Sequence, residues 1–149
     1  ASRIGSPASP ESVAVLRGRR AVYSASLIRE LVTHFAAAAG VTHEISVFTD
    51  PRLFERWRRR RGSLTARDRE HLKRGHAISF FRRARPHEVY INGPRHVSLA
   101  ELEDTAAHEV AHLRWWHLDH GVTFDRRVNA LMAGYTCGPK SGRLPEAFR

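Results

Sequence analysis

The stretch His108-Glu109-Val110-Ala111-His112 decides how this chain is read. On an α-helix, residues four apart share a face. The two imidazoles therefore stand side by side, where their nitrogens can close on one Zn²⁺ at about 2.0–2.1 Å. Glu109 falls in an adjacent sector of the same helix, placed to take a proton from an attacking water without ligating the metal. Two surface histidines that merely share a face are the alternative. The flanking sequence argues against it. Ser98-Leu99-Ala100-Glu101 is a capping box, with Ser98 as N-cap and Glu101 reaching back. It starts a helix about two and a half turns before His108. Asp104 adds to the acidic early turns, and Leu99, Leu102, Ala106, Val110 and Leu113 give the helix an apolar face.

Working outward toward the N-terminus, Glu88 to Asn92 and Ala77 to Phe81 alternate as two strands, joined through a loose connection containing Pro86. Thr65 to Asp68 is expected to cap a short helix through Lys73, with Gly75 after it. Six arginines fall between Arg52 and Arg61, with Leu53, Phe54 and Trp57 at i, i+1 and i+4. That predicts a short helix with its aromatic face inward and its guanidiniums outward. Glu44 to Phe48 reads as a strand. Leu27, Ile28, Leu31, Val32 and Phe35 mark a helix from Ser24 or Ser26 to Ala39, with Gly40 at its C′ position. The apolar run 13–16 begins either a strand or an N-terminal clamp. Beyond the motif, Gly121 marks a turn and Val122 to Met132 a last helix. Residues 1–12 and 134–149 read as irregular. The whole of 1–149 reads as one domain, without internal repeats.

A catalytic zinc needs three protein ligands and an open position. The continuation H-E-x-x-H-x-x-G-x-x-H is excluded, because Trp115 stands where the Gly belongs and Leu118 where the His belongs. Asp119, if the helix ran on, would lie about 10 Å further along its axis, too far for a shared ion. The third ligand must return by a turn or come from another element. His120, directly before Gly121, fits a reversal at 118–121 best. His117 competes but is rotated roughly 140° off the ligand face if helical, and a distant carboxylate is the remaining choice. Asp119 and Asp125 are candidates to orient the ligand rings, and Tyr135 and His117 to stabilise an oxyanion. Trp115 and Trp116 read as core more readily than as a stacking surface.

His120-Gly121-Val122-Thr123-Phe124, coming after the first motif and a short spacer, makes residues 108–124 resemble the SprT-like metalloproteases, the Spartan-type group. The resemblance implies that His120 is the third zinc ligand. It also implies an α+β, zincin-like fold: a small, mostly antiparallel sheet, an active-site helix carrying HExxH, and a following C-terminal helix. The layout is similar over roughly residues 24–133. A C-terminal Cys-rich zinc ribbon, present in many members, is absent here, and the basic insert at 52–74 has no assigned counterpart.

Composition bounds the partners. Net charge is +10 and the isoelectric point about 11.2, an excess that favours polyanions, nucleic acid first. The one cysteine, Cys137, excludes an internal disulfide and a cysteine-based zinc ribbon. Without disulfides, a cytoplasmic or nucleoid-associated protein is expected. No apolar run is long enough to span a membrane, so no membrane partner is expected. The start, Ala1 to Pro7, lacks an initiator Met and an apolar core segment and reads as a trimmed end rather than a signal peptide. The expected function is a zinc-dependent endopeptidase. Its metal is held by His108, His112 and His120, Glu109 is the general base, and the strand Glu88 to Asn92 holds an extended peptide substrate. Arg56, Arg58, Arg59, Arg60 and Arg61 are candidate nucleic-acid contacts that would bring it to DNA-associated proteins. The competing expectation is a nucleic-acid-binding module with a structural or vestigial zinc site.

Overall fold

The computed structural model describes residues 15–17, 20–60, 62, 64–82, 86–138 and 145–149. The expected irregular segment 1–12, and Val13 and Ala14 of the apolar run, lie outside them. The other two residues of that run are strand: β1 (Val15–Arg17) pairs antiparallel with β2 (Arg20–Val22). Helix α1 (Ala25–Ala39) begins where the Ser24 hydroxyl accepts the Leu27 N–H at 3.0 Å. It buries Leu27, Ile28, Leu31, Val32 and Phe35, the stripe its spacing predicts. It ends at Gly40, whose φ of +75° is left-handed, and a Cβ there would lie 2.4 Å from the Gly138 carbonyl oxygen. Conformation and contact both demand glycine.

The chain continues through β3 (Ile45–Phe48), α2 (Pro51–Arg59), α3 (Ala66–Arg74), β4 (Ala77–Phe80), β5 (His87–Ile91), α4 (Leu99–Arg114) and α5 (Val122–Met132). Single 3-10 turns occupy Gly93–Arg95 and Glu146–Phe148. The result is a mixed α+β fold. β4 and β5 form the expected antiparallel hairpin, while β3 joins the other side of β5 in parallel, giving the order β3-β5-β4. The three-stranded sheet is thus half parallel. A parallel partner is reached by a crossover, which α2 and α3 help to supply before the chain returns in β4.

β5 is buried at all five positions because helices cover both faces of the sheet. Val89 and Ile91 pack into the core built with α1, α4 and α5. Tyr90 packs the other way, with Phe54 of α2 and Leu72 of α3. Glu88, on that same second face, is 1% exposed. Its Oε1 accepts from Arg58 Nη1 at 2.7 Å and its Oε2 from the Trp57 indole N–H. Arg58 also lies over the Phe80 ring, 4.0 Å from its centroid.

This corrects two expectations for the arginine-rich helix. Arg58 faces in, not out, since it follows Phe54 by one turn and shares its buried sector. Leu53, expected inward, is 52% exposed, being one residue off that sector.

Helix α4 is capped as expected on one side only. Ser98 Oγ accepts the Glu101 N–H at 3.1 Å. The Glu101 carboxylate reaches past Ser98, taking the Val97 N–H at 3.3 Å and His76 Nε2 at 2.8 Å. The reciprocal box expected there forms instead on α3, between Thr65 and Asp68. Buried His96 fixes the approach to α4. Its Nδ1–H donates to the Asn92 carbonyl and its Nε2 accepts from the Thr105 hydroxyl, both at 2.8 Å. The tail is more tied down than an irregular segment implies: Cys137 and Phe148 are both in the main core. Residues 139–144 lie outside the described residues.

The Glu88–Arg58 pair generates a stability prediction. Arg58→Ala leaves a buried carboxylate without its cation, so the unfolding free energy should fall by about 3–5 kcal/mol. Arg58→Met with Glu88→Leu should recover most of that, because both charges go together. Urea midpoints at equal m-value report both outcomes.

Candidate metal centre

Helix α4 sets the first two ligand candidates. With His108 and His112 one turn apart, their Nε2 atoms stand 3.0 Å apart. The helix stops at Trp115, which is 1% exposed and anchors a tight reversal through its carbonyl, an acceptor for the Leu118 N–H at 2.9 Å. That reversal returns His120 to the same point, its Nε2 2.9 Å from His112 Nε2. The donor atoms of the three histidines all lie within 4.8 Å of one another, close enough to hold one metal ion. A neutral imidazole nitrogen either donates or accepts, and the central nitrogen meets two others of its kind. A cation accepting all three lone pairs resolves this. In a tetrahedral site with Zn–N of about 2.0–2.1 Å, ligand nitrogens stand about 3.3 Å apart, a few tenths of an ångström from the two separations at His112. Neutral imidazoles favour zinc and its first-row neighbours over calcium or magnesium.

Phe124, the last residue of the second motif, is the support. It is fully buried on α5. Its ring centroid lies 4.5 Å from His112, 5.0 Å from His108 and 5.4 Å from His120. One apolar ring thus touches all three imidazoles. His117, the competing third ligand, is exposed and lies against Trp116 instead.

Burial favours the neutral form of two of these rings, His108 and His112. It lowers the pKa of His108, with His120 adding to the effect and Asp104 and Asp125 opposing it. Of the two aspartates expected to orient the rings, Asp125 is therefore the one whose charge acts on a ligand candidate, joined by Asp104. His112 is pushed down to about 4, by burial first and then by its two histidine neighbours. Glu109 is buried against β4 and raised to about 7 by desolvation, partly offset by a hydrogen bond from the Ser79 hydroxyl.

These groups line an open cleft of about 770 Å³. Its wall is β4, through Ala77, Ile78 and Ser79, and not β5 as expected. β5 is the middle strand, with both edges already paired, so the edge left beside α4 belongs to β4. Trp116 and Phe81 close one part of the cleft; Asp104, Glu101, His76 and His71 line another. Neither oxyanion candidate, Tyr135 or His117, is among the residues that line it. Trp115 is core as read, but Trp116 is 52% exposed and faces the cleft.

The sequence reading missed Ser79. The available signal was a single hydroxyl in the apolar run Ala77-Ile78-Ser79-Phe80, at a position sharing its face with buried Ala77. Of the arginines, Arg56, Arg59 and Arg60 are exposed, with Arg59 paired to Glu55 at 3.2 Å. Arg58 is buried, and Arg61 lies outside the described residues. No family model, curated protein or solved structure matches this chain.

The geometry assigns the third donor to one histidine and so predicts a difference. His120→Ala should weaken Co²⁺ or Zn²⁺ binding by more than the roughly 10–100-fold typical of losing an outer partner. His117→Ala should leave the affinity unchanged. Chelator competition measures both, and the reverse order would move the ligand to His117.

Proposed function

We propose that the chain is a zinc-dependent endopeptidase of SprT-like layout. The observation that carries this reading is the convergence of His108, His112 and His120 beside a buried carboxylate, Glu109, in an open cleft. A purely structural site closes its fourth position with another ligand and needs no base. Here three nitrogens leave a position open toward a space large enough for a peptide.

Zinc, when bound, supplies the Lewis acidity that polarises the scissile carbonyl and acidifies water. The rest is the work of the chain. β4 is an edge strand whose backbone can pair with an extended peptide. Glu109 takes the proton of the attacking water and delivers it to the leaving amine as the C–N bond breaks. Ser79 holds the Glu109 carboxylate toward the reacting atoms. His108 and His112, neutral by burial, keep their lone pairs for the metal.

A second reading, binding to nucleic acid, is favoured by the outer surfaces of α2 and α3. Arg56, Arg59 and Arg60 are exposed there, and so are Arg67, Arg69, Lys73 and Arg74. The two readings combine in a protease drawn to DNA-associated proteins.

Glu109→Gln keeps the size and hydrogen bonding of the base without its basicity. Zinc content should stay at one per chain while cleavage of an unfolded protein such as casein falls by about 10²–10⁴-fold. Full activity in this variant would end the proposal. Independently, Arg56→Ala, Arg59→Ala and Arg60→Ala together should weaken DNA binding. They should also reduce the slope of log K against log salt by about 0.9 for each phosphate no longer neutralised. An unchanged slope makes these residues a solvated surface and nothing more.

A further inference from the structure

Beside the metal cleft, and sharing Phe81 and Trp116 with it, is a second cavity of about 140 Å³. Its wall includes an unbroken series of flat rings. Trp116 stacks on Phe81 at 5.0 Å and 26°, Phe81 meets His87 at 5.2 Å and 31°, and His87 meets His43 at 4.8 Å and 35°. Leu113 lines the same space. The ladder is held in place: His87 is 2% exposed, and its Nδ1 accepts the Arg82 N–H at 3.1 Å. At the cleft end of the ladder Trp116 is open, about half its surface facing solvent while Trp115 beside it is buried.

We propose that this cavity is the specificity pocket of the peptidase and takes one aromatic side chain, phenylalanine or tyrosine, from a residue next to the bond cleaved. Three observations carry it. The volume of about 140 Å³ is on the scale of the roughly 150 Å³ that accommodates a benzene ring. The lining is aromatic, with Trp116, Phe81, His87 and His43 all on it, and an aromatic side chain packs on such rings edge to face or offset. And the cavity shares two residues with the cleft that holds Glu109, so a chain lying along β4 can place a side chain in it. A stacked nucleotide fits less well. Its phosphates would run through a cleft carrying Glu101, Asp104 and Glu109 and, among the described residues lining it, no lysine or arginine. Arg114 lines the cavity itself and disfavours a lysine or arginine occupant.

The pocket rests on the peptidase reading, and a binding measurement separates the two. Zinc-loaded Glu109→Gln protein is titrated with an extended peptide of alanine and glycine carrying one phenylalanine, and with the same peptide carrying alanine there. Calorimetry gives affinity, and the indole N–H resonance of Trp116 gives location. The phenylalanine peptide should bind about 10-fold tighter or more and move the Trp116 resonance. Trp116→Ala and His43→Ala, each confirmed to hold zinc, should shrink that difference; His43 is exposed, so its loss does not threaten the fold. Equal affinities overturn the pocket. So does a difference that survives Trp116→Ala, or a Trp116 resonance that moves with a thymidine oligonucleotide and not with the peptide. A chain that binds the phenylalanine peptide at Trp116 yet cleaves nothing as wild type keeps the pocket and ends the peptidase reading.

Discussion

A single phenyl ring does most to define this molecule. Phe124 lies against His108, His112 and His120 at once, and because it is fully buried it fixes α5 against α4 at the point where the three nitrogens meet. Three nitrogens that converge this closely need a rigid support to keep them aimed at one point. That requirement shapes the surrounding chain. α4 must end abruptly so the chain can turn back, Trp115 must be buried to hold the turn, and α5 must start within a few residues of His120. The two motifs are thus the two halves of one packing arrangement.

Local signals were legible in the sequence because the forces behind them are local. The Ser24 and Ser98 caps, the α1 stripe, the left-handed Gly40 and the span Val122–Met132 all depend on neighbours within a turn or two. His120 was legible because the break of α4 and the ligand spacing leave few solutions. What could not be read depends on which strand lies next to which. That β5 sits in the middle, leaving β4 beside the metal centre, is a fact of topology, and it moved the expected substrate strand from one element to the other. Ser79 and Trp116 were hidden for the same reason. Arg58 shows a different limit: in a run of arginines nothing local marks the one that meets a buried carboxylate on a strand 30 residues away.

Charge is divided with the same economy. The chain carries 25 lysines and arginines against 15 acids. Yet the described residues lining the metal cleft include Glu101, Asp104 and Glu109 and no lysine or arginine. Exposed cations stand instead on α2 and α3, among them Arg56, Arg59, Arg67 and Lys73, in the layer on the far side of the sheet from α1, α4 and α5. The cleft is therefore locally acidic within a basic molecule.

The C-terminal residues give this arrangement its reach. Cys137 donates its thiol hydrogen to the Ala39 carbonyl at the end of α1, and Phe148 packs with Trp115 at 5.6 Å. Trp115 is the pivot of the turn that carries His120, so Phe148 braces that turn from behind. Phe148 is thereby one ring removed from the turn that places His120, although 28 residues separate the two in sequence.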